Sequence, residues 1–427
     1  MLKTFRRIRS FSELIAAPLS AEDCSVQTMP DVSPTRWHLA HSSWFFETFV
    51  LKRFLPRYVV FDERFEFLFN SYYNAIGKQF PRNLRGTITR PNLEEIRDYR
   101  RHVDLHIQQL LEGKPSGYQQ AIPLLILGLN HEQQHQELML TDIKHVLFHN
   151  PFHPAYHSNL AEIDLDQVPL SGRNVDSTIV SEAIVDIGSA GDGFCFDNEL
   201  PVHRALVLEH SAASSLVLNR DYLEFIRDGG YTNPEHWLSL GWAWVQSQQI
   251  TAPLYWQSTA DGQWRQYGLS GMRPLHLDEP VCHVSYFEAD AYARWAGARL
   301  PTEFEWEYSA GVAQQSLLES NSSSPTGVFA DYLLANNQPI HPKASHASGA
   351  ISWLGNVWEW TSSHYSPYPG YRPKQGAIGE YNGKFMCNQF VLRGGSCATS
   401  ADHIRVSYRN FFPPDARWQF SGIRLAH

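Results

Sequence analysis

Two histidines spaced four residues apart, His131 and His135, form the part of this sequence best suited to chemistry. They lie in an apolar stretch from about Ala121 to Leu147 that predicts a long helix. Residues four apart on a helix face the same way, with Cβ atoms about 5–6 Å apart, so the two imidazoles can share one metal ion. Apolar residues at helical spacing, including Leu127 and Leu138, indicate a buried face, where an imidazole needs a polar partner. A pair of solvated histidines on an exposed face is the alternative.

The same stretch spells His-Glu-Gln-Gln-His and therefore matches the zinc-protease pattern His-Glu-x-x-His, with Glu132 in the position of the general base. No obvious pattern for a third ligand follows it in the sequence. The motif predicts a metal-binding helix and leaves the chemistry of the metal open.

Bulk composition excludes several classes of protein. The chain has 427 residues, 43% of them hydrophobic and 19% charged, with a formal charge of −9, which indicates a folded protein of two or three domains without a basic patch for nucleic acid. The five cysteines include no Cys-x-x-Cys pair, which argues against a disulfide scaffold or a thiolate zinc site. No stretch has the length of a membrane span and no signal peptide precedes the first helix, so we expect a cytoplasmic protein.

Helical patterns fill the first part of the chain. Helices are predicted near 11–17, from Ser33-Pro34 to about Phe54, over 91–113 and over 117–150, and four such helices favour an antiparallel bundle. Metal sites in bundles are built from side chains on facing helices. The irregular piece at 62–90 is longer than an ordinary connection, which indicates a functional loop.

The composition and the predicted secondary structure of the chain change in its second half. We predict a helical domain over residues 1–155, a linker over 156–177 and a second domain over 178–427, in which short strands, Gly/Pro turns and most of the tryptophans occur. One helix there is predicted over Tyr286–Trp295, because Ser285 is followed three residues later by Glu288, the pattern of a capping box.

Four short segments of the second half are similar to sequence motifs of a known domain family. They are Asn219-Arg220-Asp221-Tyr222, Arg299-Leu300-Pro301-Thr302-Glu303, Gly355-Asn356-Val357-Trp358-Glu359-Trp360 and Arg393-Gly394-Gly395-Ser396. Residues 178–427 resemble the formylglycine-generating-enzyme/sulfatase-modifying domain, which implies a C-type-lectin-like α+β fold. Formylglycine generators use a pair of cysteines near Arg-Gly-Gly-Ser, whereas only Cys397 stands here. Formylglycine generation is therefore not implied.

The first half resembles the DinB-like four-helix bundle, in which a histidine of the first long helix joins a His-x-x-x-His pair in binding a metal. The matching segment is Trp37-His38-Leu39-Ala40-His41, so the resemblance implies His41, His131 and His135 as ligands, with His38 as the competing first ligand. Together the two halves form an α+β multidomain protein.

A DinB-like bundle fused to this second domain resembles the non-haem iron sulfoxide synthases of ergothioneine biosynthesis. These oxidoreductases use O₂ to join the sulfur of a thiol to C2 of the imidazole of hercynine. The resemblance implies Fe(II) as the cofactor and small molecules as the partners, with neither nucleic acid nor membrane. Zinc suits three imidazoles as well, so the choice of iron rests on the resemblance.

The resemblance also implies substrate contacts. Gln134 and Asn410 match positions that contact the betaine, whose quaternary ammonium is held by amide oxygens and aromatic faces, here Phe411 and Trp418. Arg82 and Arg85 match the Arg-x-x-Arg pair that binds the thiol substrate, since guanidinium groups grip a carboxylate with several donors.

Two further features bear on the thiol and the reaction. Synthases that use γ-glutamylcysteine carry an acid where this chain has Phe412, which favours free cysteine as the substrate. The cysteine-using branch resembles this chain in a Tyr-Tyr pair, which implies Tyr73, or else Tyr72, as the proton donor that directs the reaction to the sulfoxide rather than to a sulfinate. Tyr381 is a loose match to the tyrosine of another branch.

Rival functions remain in the same superfamily and outside it. A selenoneine synthase would use a selenosugar with hercynine, and an ovothiol-type synthase would use histidine. The chain ends at His427 without the methyltransferase domain usual in the ovothiol group, which favours hercynine. A non-catalytic small-molecule-binding module stabilised by a metal is the alternative of another class.

Overall fold

The protein is described by a computed structural model that covers residues 1–157, 177–319, 327–343 and 353–427. The chain divides into two compact units, a helical unit of Met1–His157 with Pro373–Tyr381, and a mixed unit of Ser158–Arg372 with Asn382–His427. Most of the predicted linker, 156–177, lies outside the described residues. In the described part of the chain, no helix combines the length and the apolar character needed to cross a bilayer.

The helical unit is built on four long helices. Its helices are α1 (Leu2–Ala16), α2 (Thr35–Phe46), α3 (Lys52–Phe54), α4 (Phe65–Phe69), α5 (Leu93–Gly113) and α6 (Tyr118–Phe148). A π-helical turn over Glu47–Leu51 joins α2 to α3, and a 3-10 helix covers Arg82–Thr87 inside the long loop. The predicted helices near 34–54, 91–113 and 117–150 are confirmed. The helix predicted near 11–17 is longer than expected, since it begins at Leu2.

Local signals explain where these helices begin. The Asn92 side chain accepts a hydrogen bond from the Glu95 amide at 2.9 Å, and the Glu95 carboxylate accepts one from the Asn92 amide, so α5 starts with a complete capping box. The longest helix, α6, begins after Gly117, whose φ of +90° suits a residue without a Cβ. Helix α2 is buried on all sides and packs against α5 and α6.

A buried ion cluster ties three helices together. The carboxylate of Glu132 on α6 accepts hydrogen bonds from Arg9 of α1 at 2.9 Å and from Arg100 of α5 at 3.0 Å. The hydroxyl of Ser12 donates a third at 2.6 Å. Burial alone would raise the pKa of Glu132, but the two arginines outweigh it and lower the pKa to about 2. The ionised carboxylate therefore cross-links α1, α5 and α6.

A short segment distant in sequence completes the helical unit. Residues Pro373–Tyr381 belong to this unit, although the sequence interpretation counted them in the second domain. The carboxylate of Glu380 accepts hydrogen bonds from the backbone amides of Asn74 at 3.0 Å and Ala75 at 2.8 Å. The hydroxyl of Tyr381 donates to the side-chain oxygen of Gln134 on α6.

The mixed unit combines helices with small, mostly antiparallel sheets, so the predicted α+β class is confirmed. Its strands are β1 (Ser177–Val180), β2 (Ala183–Ile187), β3 (His203–Val207), β4 (His210–Ala213), β5 (Trp256–Ser258), β6 (Trp264–Gly268), β7 (Gly271–Pro274), β8 (Trp358–His364), β9 (Phe390–Arg393), β10 (Asn410–Phe412) and β11 (Ser421–Gly422). Its helices are α7 (Asn219–Arg227), α8 (Ser239–Gln248), α9 (Tyr286–Trp295), α10 (Glu303–Glu319) and α11 (Ala330–Ala335).

The strands pair as β1 with β4, β2 with β3, β5-β6-β7 and β10-β9-β8-β11. Only the pair of β11 with β8 is parallel among these described strands. The predicted capping box of α9 is confirmed, because Ser285 and Glu288 exchange side-chain and backbone hydrogen bonds.

Buried ion pairs occur in the mixed unit as well. Glu303 at the start of α10 accepts hydrogen bonds from Arg393 at 3.0 Å and from Arg409 at 2.8 Å. Glu279 accepts one from His341 at 2.7 Å and one from Arg273. Burial would raise the pKa of Glu279, yet His341 and Arg273 lower it to about 2.

Candidate metal centre

Three imidazoles converge inside the helical unit. His41 comes from α2, and His131 and His135 come from successive turns of α6. The Nε2 atom of His131 lies 3.2 Å from Nε2 of His41 and 3.1 Å from Nε2 of His135. All three ligand atoms lie within 4.8 Å of one another. The pair expected from helical spacing and the third histidine expected from the resemblance are thus brought to one point.

The ring orientations direct nitrogen lone pairs toward that point. Nδ1 of His41 lies 2.6 Å from the carbonyl oxygen of Phe69, and a carbonyl only accepts, so this nitrogen carries the proton and Nε2 is left with its lone pair. Nδ1 of His135 lies 2.8 Å from Nδ1 of His38. His38 therefore stands behind His135 and outside the group of three. Nδ1 of His131 is buried without a hydrogen-bond partner among the described residues.

Burial keeps these imidazoles neutral. Burial first, and then the neighbouring His131, lower the pKa of His41 well below its ordinary value. Burial lowers the pKa of His131 to about 3. The pKa of His135 is also lowered, mainly by burial and to a lesser extent by the neighbouring His131 and His41. Three neutral nitrogen donors with converging lone pairs suit a divalent transition metal and leave positions for other ligands.

Aromatic side chains pack against the three-histidine site. Trp37 stacks on His41 with ring centroids 4.6 Å apart and planes 13° apart, and Trp44 also stacks on His41, with centroids 5.4 Å and planes 15° apart. Phe45 lies 4.6 Å from the ring of His131. These contacts surround the buried imidazoles of His41 and His131 with aromatic rings.

The glutamate of the protease-like motif is not available as a base. Its two oxygens are engaged by Arg9, Arg100 and Ser12, and its side chain is 1% exposed. A general base must reach a water or substrate proton and accept it, which this low-pKa, cross-linking carboxylate does not do. The match to the zinc-protease pattern is therefore formal, and these contacts do not support Glu132 as a general base.

Two tyrosines of the long loop lie near the site, and a third reaches it from the later segment. Tyr73 is fully buried, with its ring 5.5 Å from that of Trp44. Burial first, and then Tyr72, raise its pKa well above the ordinary value, so the hydroxyl keeps its proton. Tyr72 stacks on Tyr73 at 4.6 Å. The ring of Tyr381 lies 5.8 Å from that of His131, closer to a ligand than the sequence indicated.

The two arginines of the loop have different surroundings. Arg85 is 4% exposed, donates to the hydroxyl of Ser33 at 2.9 Å and lies with its guanidinium carbon 3.4 Å from the ring centre of Trp37. It has no ion pair with an acid among the described residues, and burial first, then Arg82, lower its pKa well below the usual range. The Arg82 side chain is 56% exposed and donates to the backbone oxygen of Asp31. Of these two arginines, Arg85 is the buried one, and the described residues include no direct ion pair for it.

Comparison with known proteins gives the family. The profile of the Sulfatase-modifying factor enzyme 1-like domain matches residues 170–427, and that of the DinB superfamily matches residues 4–157. The chain is 35% identical over 313 residues to a hercynine oxygenase of Mycolicibacterium thermoresistibile, covering 70% of this chain and 67% of the relative. It is 34% identical over 315 residues to a hercynine oxygenase of Mycolicibacterium smegmatis, covering 70% of both chains. The chain belongs to the hercynine oxygenase family.

The second half alone is similar to other proteins. A formylglycine-generating enzyme of Streptomyces coelicolor is 31% identical over 274 residues, covering 56% of this chain and 84% of that one. The similarity to the hercynine oxygenases spans more of the chain, and the expected combination of the two domain families is confirmed. Members of an oxygenase family are oxidoreductases.

The remaining expected residues of this hercynine oxygenase family member lie in the mixed unit. The side-chain oxygen of Asn410 accepts a hydrogen bond from the amide of Phe411 at 2.9 Å. Phe411 stacks on Tyr365 with centroids 4.1 Å apart, so one face of its ring is covered. Phe412 and Trp418 lie edge to face at 6.0 Å, and the indole nitrogen of Trp418 is buried without a hydrogen-bond partner among the described residues.

Two features of the site were not found from the sequence. Trp37 is placed between His41 and Arg85, and Glu380–Tyr381 join the helical unit. Trp37 lies four residues before His41, a helical spacing that could have indicated the stacking. Nothing local to residues 373–381 connects them with α6.

Proposed function

We propose that this chain is an Fe(II)- and O₂-dependent sulfoxide synthase that joins the sulfur of cysteine to C2 of the imidazole of hercynine. The observation that carries the proposal is the convergence of three neutral imidazoles, from His41, His131 and His135, in a chain of the hercynine oxygenase family. The reaction balances as hercynine plus cysteine plus O₂ giving the sulfoxide and water. One oxygen atom enters the sulfoxide, and the hydrogens of C2 and of the thiol leave in the water.

The donor set fits the proposed ion. Three imidazoles from two helices leave coordination positions for substrates, as non-haem Fe(II) oxygenases require, although their ligand set usually includes a carboxylate. The iron would supply the redox chemistry that couples O₂ to oxidation of the thiol. The protein's own part is to hold three neutral donors in a buried, aromatic pocket and to place the substrates.

Arg85 is our candidate for binding the carboxylate of cysteine. A buried guanidinium without an acidic partner is unfavourable on its own, and an anionic ligand relieves that cost through charge-assisted hydrogen bonds. The buried Nε atom of Arg85 has no hydrogen-bond partner among the described residues and supplies a free donor. Arg82 contributes a second positive charge nearby, from an exposed position.

A phenol that keeps its proton is suited to general-acid catalysis. Tyr73 is the first candidate donor, since burial raises the pKa of its hydroxyl and keeps it protonated. Tyr72 is the second. Tyr381 becomes a stronger alternative than the sequence implied, because its ring contacts that of His131.

The hercynine contacts that the sequence resemblance implies, Gln134, Asn410, Phe411 and Trp418, stay a prediction. Amide oxygens and ring faces are the groups that attract a quaternary ammonium. Phe412 packs against Trp418 and offers no carboxylate to the amine of a γ-glutamyl group. We therefore propose free cysteine as the thiol.

The test is a product assay on iron-loaded protein. Protein purified without oxygen is loaded with Fe(II), its metal content is measured, and O₂ uptake is followed with hercynine plus cysteine, γ-glutamylcysteine or a selenosugar. The expected product is the cysteine-derived sulfoxide, identified by mass spectrometry, with His131→Ala as the inactive control. A chain that binds Fe(II) but forms no sulfoxide from hercynine and cysteine would refute the proposal.

A further inference from the structure

A chain of three polar groups extends away from the metal site behind His135. Nδ1 of His135 lies 2.8 Å from Nδ1 of His38, and Nε2 of His38 lies 3.0 Å from Oδ2 of Asp142. His38 and Asp142 are each 2% exposed. The same carboxylate oxygen accepts the backbone N–H of Ser33 at 2.8 Å, which anchors this end of the chain.

The chemistry of the partners decides where the protons are. An ionised carboxylate only accepts, so Nε2 of His38 must carry a proton in order to bond to Asp142. In a neutral imidazole the other nitrogen is then an acceptor, and Nδ1 of His38 accepts the proton of Nδ1 of His135. His135 is thereby left with its lone pair on Nε2, the atom that lies 3.1 Å from Nε2 of His131.

We infer that His38 and Asp142 are positioning residues that fix the tautomer and ring orientation of His135 as a metal ligand. The inference rests on the metal centre of the proposed function, adds Asp142 to it and gives His38 a role other than that of a ligand. It also explains why His38 is not itself a ligand, since both of its ring nitrogens are engaged by other groups.

The three ligands differ in how they are held. The backbone carbonyl of Phe69 orients His41, and the His38–Asp142 pair orients His135, whereas the Nδ1 atom of His131 has no such partner among the described residues. A side-chain pair can be removed by substitution, and a backbone carbonyl cannot. Hydrogen-bond partners of metal ligands typically contribute about 10- to 100-fold to metal affinity.

The chain offers variants that separate hydrogen bonding from packing. His38→Phe keeps a ring and removes both bonds. His38→Asn places an amide oxygen where it can accept from His135 but cannot reach Asp142. His145→Phe is the matched control, because His145 is another buried α6 histidine, bonded to Thr28 at 2.6 Å, and lies ten residues or about 15 Å along the helix from His135.

Metal affinity is measured by calorimetric titration with Zn(II), which needs no exclusion of oxygen, and repeated anaerobically with Fe(II). His38→Phe should weaken binding by about 10- to 100-fold, His38→Asn should bind more tightly than His38→Phe, and His145→Phe should match the wild type. Thermal unfolding of the metal-free variants records any general loss of stability. In the Zn(II) complex, nitrogen-15 NMR should show faster exchange with water for the Nδ1 proton of His135 in His38→Phe.

The outcomes separate this inference from the proposed function. Wild-type affinity in His38→Phe, or the same loss in His145→Phe, would overturn the positioning role while leaving the metal centre intact. An asparagine variant no better than the phenylalanine variant would overturn the acceptor role of His38. A wild-type protein that binds neither metal would overturn the metal centre, and with it the proposed function.

Discussion

Replacing Arg85 with methionine should strengthen the fold and weaken the binding of the thiol substrate. The guanidinium is buried without a direct ion pair among the described residues, and what offsets its burial is one hydrogen bond to Ser33, the face of Trp37 and the charge of Asp142, with which it makes no salt bridge. Taking an ion out of water costs several kcal/mol, whereas a cation–π contact and one hydrogen bond return about 1–2 kcal/mol each. Methionine fills a similar volume without charge, so the free energy of unfolding should rise by about 1–3 kcal/mol.

The same substitution removes the charge proposed to bind the cysteine carboxylate. Hydrogen bonds to a charged group contribute about 1.5–3 kcal/mol, so kcat/KM for cysteine should fall about 10- to 100-fold, mainly through KM. Urea denaturation of the metal-free protein and initial rates over a range of cysteine concentrations measure the two effects separately.

Arg82→Met is the control because it removes the same charge from an exposed position. The Arg82 side chain is 56% exposed and 3.8 Å from the carboxylate of Asp31, a pair expected to contribute less than about 1 kcal/mol. Both stability and kcat/KM should change far less than in Arg85→Met. Lower stability with unchanged kinetics in Arg85→Met would show that Arg85 is a structural cation, and the assignment of the carboxylate site would be wrong.

Further predictions concern the metal, the product, the ion cluster and pH. His131→Ala should abolish binding of Fe(II) and activity while the helical circular dichroism signal is kept. Tyr73→Phe should still consume O₂ and cysteine but yield mainly cysteine sulfinate, measured as a product ratio by NMR. Glu132→Gln should lower the free energy of unfolding by about 3–5 kcal/mol, because it leaves two buried arginines without their shared anion. The carboxylate of Glu279 has a folded-state pKa of about 2, below its usual 4.5, so its contribution is complete above pH 4.5 and is lost as the pH falls toward 2. The stability difference between wild type and Glu279→Gln should therefore shrink over that range.

Each of these has a contrary result. Full activity in His131→Ala would remove the ligand assignment, and sulfoxide as the main product in both Tyr73→Phe and Tyr72→Phe would transfer the donor role to Tyr381. A stable, inactive Glu132→Gln protein would restore that residue as a base. A stability difference for Glu279→Gln that is independent of pH would show that the carboxylate is not ionised in the folded protein.

Sequence patterns predicted only the part of the metal site whose geometry is set by residues close together in the chain. The spacing of His131 and His135 is enough to place both rings on one helix face, because that geometry is set within a single turn. The third histidine came from family resemblance, since the packing of α2 against α6 is tertiary. Arg82 and Arg85 were treated as equivalent, and only the fold shows that one is buried and the other exposed.

The start of α1 was missed for a related reason. Phe5 and Ile8 have helical spacing and are buried, but they are interspersed with basic residues, of which Arg9 is 3% exposed and pairs with Glu132, far away in sequence. Hydrophobic pattern cannot identify a charge that is buried together with its partner. For the same reason the sequence did not predict the structural role of Glu132, because its position in a protease-like motif does not indicate its ion pairs with Arg9 and Arg100.

The return of Pro373–Tyr381 to the helical unit has a consequence for biosynthesis. The hydroxyl of Tyr381 bonds to Gln134 across 247 positions of sequence, and Glu380 bonds to the amide of Asn74 across 306. A domain at the amino end of a chain usually folds as soon as it leaves the ribosome. Here the helices can assemble early, but the ring that lies against His131 is translated only after most of the mixed unit. The site therefore matures late in synthesis, and an amino-terminal fragment ending at residue 157 would contain all three histidines and still lack part of their surroundings.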